Sequence, residues 1–241
     1  LGRVEVLRGG GSDLYGSGAM GGVIGLFRRP AEPRVAVDVS AGGQATRDGS
    51  ISLAGRVGRW GAAVDAAAFQ TDGYFLVAPG DRGPVDTPTR GRHSAGDLTL
   101  DYVDGARRAF ARGSVFDESR SNGTVLQENE THRREWSAGY DDTLGPNTLS
   151  VRAYTGHQDY EQTFSSVLDD RRREVRTQRQ DTPARMAGGG LQWSRPGTAH
   201  TIVAGIEQRR QRRENQQRQR EQRLPQYRTV PFDAPLLAQR Q

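Results

Sequence analysis

The 241 residues contain no cysteine, which excludes a disulfide framework and any thiolate metal site. Lysine is missing too: all 34 basic side chains are arginine, against 29 Asp and Glu and four His, for a net charge of +5. Arginine-only usage in an Ala- and Gly-rich chain reads as codon bias, and much of the excess sits towards the C-terminus. Long apolar runs are also lacking. With 34% hydrophobic residues and a mean hydropathy of −0.76, no stretch approaches the ~18 residues of a spanning helix. A helical membrane protein is thereby excluded, whereas a β-barrel crosses on short alternating strands and can be polar overall.

Catalytic patterns are missing as well. His93, His132, His157 and His200 lie far apart, without H-x-x-H or H-E-x-x-H spacing, so a metal site would need tertiary coincidence. Ser12 lies in Gly10-Gly11-Ser12-Asp13-Leu14, which lacks the final glycine of a nucleophile elbow. Asp141-Asp142 and Asp169-Asp170 read as turn carboxylates. The expectation is a protein that is not an enzyme and carries no cofactor. Since the chain starts at Leu1, inside a recognisable motif, it is expected to be an internal piece of a longer protein.

What is present begins at once: Val4-Glu5-Val6-Leu7-Arg8-Gly9-Gly10-Gly11-Ser12-Asp13-Leu14-Tyr15-Gly16-Ser17-Gly18-Ala19-Met20-Gly21-Gly22-Val23-Ile24-Gly25-Leu26-Phe27. Two β-like runs flank a glycine-dense turn, where small residues permit positive φ and close backbone approach. A phosphate cradle is the competing reading, but no Lys-Ser/Thr and no periodic helix follow.

After Arg29-Pro30-Ala31-Glu32-Pro33, period-two alternation sets in. Val35, Val37 and Val39 alternate with Ala36, Asp38 and Ser40. Asp48-Gly49 signals a hairpin turn at 46–49 into Ile51, Leu53, Gly55 and Val57. Trp60-Gly61 marks a reversal before Val64, Ala66 and Ala68, and 72–92 reads as a long loop. Leu98, Leu100 and Tyr102 then oppose Asp97, Thr99 and Asp101, the cleanest separation of apolar and acidic faces in the chain. The run 108–118 leaves its faces open. A polar loop over 119–133 precedes Trp136, Ala138 and Tyr140, and a turn at 144–147 leads into Leu149, Val151 and Ala153. Another polar loop over 159–182 precedes Ala187, Gly189, Leu191 and Trp193, and Ile202, Ala204 and Ile206 mark about a ninth strand. Short and long connections alternate, as in an outer-membrane barrel, and Trp60, Trp136, Trp193, Tyr102 and Tyr140 are expected near the short turns. An antiparallel sandwich shares the alternation, so a soluble or secreted β-sheet binding protein is the second reading. The Arg/Gln/Glu tail from 207 could be a nucleic-acid arm, but no aromatic lies between Trp193 and Tyr227 to stack bases. A solvated strand end and loop, with no nucleic acid, is expected.

Residues 3–29 resemble the closing segment of the plug domain of TonB-dependent outer-membrane receptors, with the pattern V-E-V-L-R-G-P-x-S-x-L-Y-G-x-x-A-x-G-G-V-I-N. Glu5, Arg8, Ser12, Tyr15, Ala19 and Gly21-Gly22 stand at family spacing. Gly10 replaces the usual proline and Gly25 the usual asparagine. The resemblance implies an all-β fold: a transmembrane β-barrel wall, here partial with about nine antiparallel strands, preceded by the C-terminal piece of a plug. The expected division is 1–29 plug, 30–33 hinge and 34–241 barrel.

The resemblance further implies a receptor of the siderophore or vitamin B12 type in the bacterial outer membrane. It would take up a scarce large ligand such as a ferric siderophore, haem or cobalamin, contact outer-membrane lipid, act as a monomer when full length, and draw energy from the inner-membrane TonB complex. By the same resemblance Glu5 and Arg8 make plug–barrel contacts, Arg8 as a guanidinium beside a glycine turn that can hold a carboxylate bidentately. Gly9, Gly16, Gly21 and Gly22 shape the plug backbone. Tyr74, Phe75, Tyr160, Phe164 and Tyr227 are candidates for ligand contact from outer loops, with packing of loop on loop as the alternative for each.

Overall fold

The computed structural model describes residues 2–10, 19–198, 200–213 and 216–218, and contains strands with a single 3-10 turn at Pro79–Asp81. Gly16, Ser12, Tyr15 and Tyr227 lie outside the described residues. The first two strands, β1 (Arg3–Arg8) and β2 (Gly22–Phe27), form their own antiparallel pair. Gly22 is required there: its φ is +147°, and a Cβ would come within 2.6 Å of the Leu7 carbonyl oxygen.

The second sheet is antiparallel throughout. It comprises β3 (Arg34–Ala41), β4 (Arg47–Val57), β5 (Trp60–Thr71), β6 (Gly91–Asp104), β7 (Arg107–Ser121), β8 (Glu128–Leu144), β9 (Asn147–Leu168), β10 (Arg173–Asp181), β11 (Ala184–Pro196), β12 (Thr201–Arg213) and β13 (Gln216–Arg218). β10 and β11 are one strand with a break. β9 pairs with both in continuous register, from Asp181 opposite Glu161 to Ala184 opposite Gln158. Pro183 has no N–H to donate, so the ladder skips there. β12 and β13 likewise follow one line, pairing with β11 and then β10. Nine long strands therefore run as a simple meander.

At one end of this sheet three connections are glycine-led two-residue turns: Gly58-Arg59, Gly105-Ala106 and Gly145-Pro146. Their glycine φ values are +59°, +58° and +61°, and the second residue has no positive φ. That is the turn with glycine at the first central position, whose twist suits a hairpin. The opposite end carries the connections 42–46, 72–90, 122–127 and 169–172.

Several sequence expectations are corrected here. The first turn occupies 42–46, and Asp48 and Gly49 are already strand residues opposite Ser40 and Val39. The reversal before β5 is Gly58-Arg59, with Trp60 opening the strand. The expected polar loops over 119–133 and 159–182 are mostly strand. β9 alone is 22 residues long, about 70 Å at ~3.3 Å per residue, where ~10 residues cross a bilayer. These strands continue far beyond their apolar parts, and there both faces are polar, so alternation of hydropathy ceases while the hydrogen-bond ladder does not. Trp136 sits four residues farther from the short turns than Tyr140, opposite Gly113 and Thr155. A Cβ at Gly113 would lie 2.6 Å from the Trp136 ring, so the glycine seats it.

Cross-strand register assigns the faces, because directly opposed residues point the same way. Trp60, Tyr102, Ala109, Tyr140, Val151, Leu191 and Ile206 form one row across the sheet. That row is the lower edge of the apolar stretch in β5, which rises from it to Ala68, and the upper edge in β12, which falls from it to Ile202. This drift is the stagger of tilted strands. Register also settles β7: Ala109, Ala111, Gly113 and Val115 share the apolar face, while Phe110, Arg112 and Phe116 take the polar one.

Among the described residues nothing packs on the apolar face. Leu98, Leu100, Trp136 and Ile206 are 44%, 45%, 62% and 72% exposed, and among the described residues only Ala19, Ala31 and Val85 are buried apolar side chains. A sandwich of this size would bury those rows against a second sheet.

Candidate functional site

The polar face is built from ion pairs and hydroxyls. On the first strands Arg34 donates from Nε and Nη2 to Ser52 Oγ (3.1 and 2.9 Å), and the Ser52 hydroxyl donates to Asp65 at 2.6 Å. Arg56 pairs with Asp101. Farther along, Arg152 holds both carboxylate oxygens of Asp141 at 2.7 and 2.8 Å, and Ser150 donates to the same carboxylate at 2.7 Å. The Arg112 guanidinium lies 4.2 Å from the Phe110 ring centroid, a cation–π contact of the kind arginine favours. Its Nε is enclosed without a hydrogen-bond partner.

The N-terminal unit meets the sheet on this polar face. Arg28, the residue after β2, pairs with Asp97 of β6. Ala31, almost fully buried, lies against Gly61, beside Arg56 and Asp101. A cavity of about 250 Å³ opens next to Arg28, lined by Asp97, Arg112, Glu135, Tyr154 and Met186. Tyr154 is seated by Gly188, where a Cβ would come within 2.5 Å of the ring. Two arginines, Arg28 and Arg112, and two carboxylates, Asp97 and Glu135, line this cavity where Arg28 meets the sheet.

Glu5 and Arg8, the residues expected at a plug–barrel contact, lie on the first strand of the N-terminal pair. Glu5 pairs with Arg3 of its own strand at 2.8 Å, and Arg3 also covers Phe27 at 4.3 Å. Arg8 is exposed at the turn end of the pair, opposite Gly22. Gly9 and Gly22 adopt positive φ (90° and 147°), and Gly21 lies beside Gly22 before the strand. Arg28 escaped the sequence reading. The available signal was the acidic face of Asp97, Thr99 and Asp101, because half-buried carboxylates require cationic partners.

The end with the long connections holds a second assembly. Asp86 accepts from Arg171 Nε at 2.7 Å and Nη2 at 2.5 Å, and from the Gly83 N–H at 2.8 Å. Its carboxylate is almost enclosed while Arg171 stays about one third exposed. The Arg171 hydrogen bond holds the Asp86 carboxyl below the usual carboxylate range against the opposing effect of burial, and raises the Arg171 guanidinium. Glu174 accepts from Thr124 and Ser165 at 2.5 Å and from the Leu126 N–H at 3.0 Å. Together these tie 72–90 and 122–127 to the tall β9–β10 hairpin, whose tip residues Asp169, Asp170 and Arg171 all have positive φ.

Tyr74 and Phe75 lie in 72–90. Tyr74 is largely exposed, and Phe75 is covered by the Arg82 guanidinium at 4.0 Å. Tyr160 and Phe164 belong to strand β9 and not to a loop. Tyr160 donates to Gln162 at 3.0 Å, and Phe164 is partly exposed on the same face. Among the described residues no ring contact joins any two of the four. Among the described residues no group of three or more His, Asp or Glu could hold a metal ion.

Aromatic tips mark the short-turn end. Tyr102 donates to Asp104 (3.3 Å), Tyr140 to Asp142 (2.9 Å) and Trp193 to Asn147 (3.2 Å), and the Trp60 and Tyr102 rings lie 4.9 Å apart. Rings on the apolar face with polar atoms bonded towards the turns suit a boundary between hydrocarbon and water.

No family model matches the sequence, and no curated protein matches it. Seven solved chains match the fold. One is the copper transporter OprC, with a TM-score of 0.69 at 16% identity over 89% of this chain. The match takes in 34% of the OprC chain, so this chain spans about a third of that transporter's length. The protein is therefore an all-β chain sharing the fold of part of the copper transporter OprC, a likeness of fold alone.

Proposed function

We propose that this chain is the end of the plug and the adjoining barrel wall of a TonB-dependent outer-membrane transporter, with 1–29 as plug, 30–33 as hinge and the remainder as wall. The observation that carries the reading is the sheet itself: a continuous apolar face with nothing among the described residues packed on it, backed by a charged face on which the Arg28–Ala31 segment rests. A bilayer is the solvent that makes such a face stable. The plug-like motif at 3–29 and the likeness to OprC support the same conclusion. The transporter sits in the outer membrane and is energised from the inner membrane through TonB. The soluble binding protein is disfavoured because, among the described residues, no core lies under the apolar rows.

The cargo is a scarce large ligand of the ferric siderophore, haem or cobalamin kind. Energised uptake in cells carrying or lacking the full-length protein tests this, with a panel that includes those ligands and copper, the cargo in OprC's name. Loss of uptake of one large ligand on deletion supports the reading. Unchanged uptake of the whole panel contradicts it.

Arg8 locks the plug by reaching a carboxylate of the wall, with Glu5 beside it. Arg8→Ala in the full-length protein is expected to raise amide exchange in β1 and β2 and to lower uptake. Unchanged exchange together with unchanged uptake would sink this role.

A further inference from the structure

On the polar face, register sets two rows of side chains beside the Arg28–Asp97 pair. One row runs Ser114, Glu135, Gly156 and Met186 across β7, β8, β9 and β11, and the next runs Arg112, Ser137, Tyr154 and Gly188. Rows two residues apart lie about 6.6 Å apart along the strands. Glycine opens both rows: Gly188 seats the Tyr154 ring, and a Cβ at Gly156 would come within 3.1 Å of Met186 and 3.3 Å of Glu135. The recess they leave is the cavity of about 250 Å³ next to Arg28, smaller than the ~300–1,000 Å³ of pockets for drug-sized ligands.

Two opposite charges in this recess are left over. Arg28 is neutralised by Asp97, and Asp101, whose field reaches Arg112, is held by Arg56. The half-buried Arg112 stacks on Phe110 at 4.2 Å, and its enclosed Nε has no hydrogen-bond partner. An enclosed polar atom of a cation without a partner costs free energy that a bound anion removes. Glu135 is loosely held in turn: Arg133 stands 3.9 Å away, beyond hydrogen-bonding distance. Arg112 and Glu135 occupy diagonal positions on paired strands, within reach of one small molecule. A simple anion at Arg112 would face the carboxylates of Glu135 and Asp97, and a simple cation would face Arg112 and Arg28. A solute carrying both charges side by side meets neither repulsion.

We infer that this cavity binds a small zwitterion of the α-amino-acid class, its carboxylate held by the Arg112 guanidinium and its ammonium by the Glu135 carboxylate. A guanidinium fork matches a carboxylate bidentately. The Met186 thioether and the Tyr154 ring give an apolar side chain a place to pack. Such a solute is far smaller than a siderophore-like cargo, so the recess is a second binding site beyond the transport reading.

The test is equilibrium dialysis of the full-length protein in neutral detergent against labelled L-leucine, whose side chain suits the Met186 and Tyr154 end. Saturable binding is expected, displaced by unlabelled L-leucine. The same concentration of leucinamide, which lacks the carboxylate, or of 4-methylpentanoate, which lacks the ammonium, should displace little. Arg112→Gln and Glu135→Gln each remove a charged hydrogen-bond partner, and each is expected to weaken binding about tenfold to hundredfold. Gly156→Val fills the recess without changing charge and should weaken binding as well, whereas the control Arg59→Gln, at a short turn, should bind like the wild type. Heat-modifiable gel mobility identifies the folded variants, and where one of the three fails to fold the other two carry the comparison. No saturable binding by the wild type, folded variants that bind like it, or displacement by either analogue as strong as by leucine overturns the zwitterion site. Each of these outcomes leaves the membrane reading intact, because that reading rests on the opposite face of the sheet.

Discussion

On the membrane reading, replacing Leu100 by arginine is expected to destabilise the full-length protein by about 1–3 kcal/mol, the cost of a cation on the lipid face of a barrel strand one step inside its aromatic boundary. Thr99→Arg, one residue away, is expected to cost about 1 kcal/mol or less, as for a surface substitution facing water. The contrast follows from the account alone. Leu100 sits between Ala62 and Ala111 and is 45% exposed, whereas Thr99 lies opposite Ala63 and Arg112 on the charged face. Reversible urea unfolding in detergent or lipid, read by gel mobility, gives both values. Equal costs would mean that both faces of β6 meet the same environment.

The second large effect lies at the end with the long connections. Asp86→Ala removes a carboxylate that satisfies two guanidinium nitrogens and a backbone amide. Breaking a buried pair costs roughly 3–5 kcal/mol. Because Arg171 is partly solvated, a local loss of about 2–3 kcal/mol is expected, the solvent recovering part of the cation's share. The substitution should free 72–90 from the β9–β10 hairpin without unfolding the sheet, seen as faster amide exchange in 72–90 and 169–172 while β5 to β8 stay protected.

Acid should act at the same place. The folded Asp86 pKa is depressed by Arg171, so its contribution is fully present above the unfolded value of about 3.9 and fades as pH falls through the lower folded value. Proteolysis of 72–90 is therefore expected to stay slow at pH 5 and to accelerate only below about pH 4. A rise between pH 7 and 5 would assign the anchoring to another group.

The strands were legible where one face is apolar. Leu98, Leu100 and Tyr102 against Asp97, Thr99 and Asp101 fix the faces of β6, because register makes one face per strand consistent across the sheet. The nine-strand count follows from the same pattern. Legibility ended where the apolar face ended. The upper parts of β8, β9 and β10 are polar on both sides, so hydrogen bonding between neighbours, which hydropathy does not report, decides that they are strands. Asp48-Gly49 misled because a strong local turn signal was overridden by pairing with Ser40 and Val39.

The site was less legible than the fold. The acidic residues of β6 were visible, but Arg28 reaches Asp97 across 69 positions of sequence, and no local pattern encodes such a pair. The Asp86–Arg171 anchor, 85 positions apart, escaped for the same reason. Tyr160 and Phe164 were found as exposed aromatics but assigned to a loop, since the sequence around them carries turn-forming and charged residues instead of a β pattern.

The absence of cysteine permits the most direct test of the central claim, that the apolar face meets lipid and the polar face meets water. Single cysteines are placed at positions 97 to 102 in the full-length protein in membranes and challenged with a water-soluble maleimide and a lipid-soluble one. The account predicts strict alternation: positions 97, 99 and 101 react with the water-soluble reagent, and 98, 100 and 102 only with the lipid-soluble one. Uniform reaction with the water-soluble reagent, or protection of 98 and 100 from both, would contradict it.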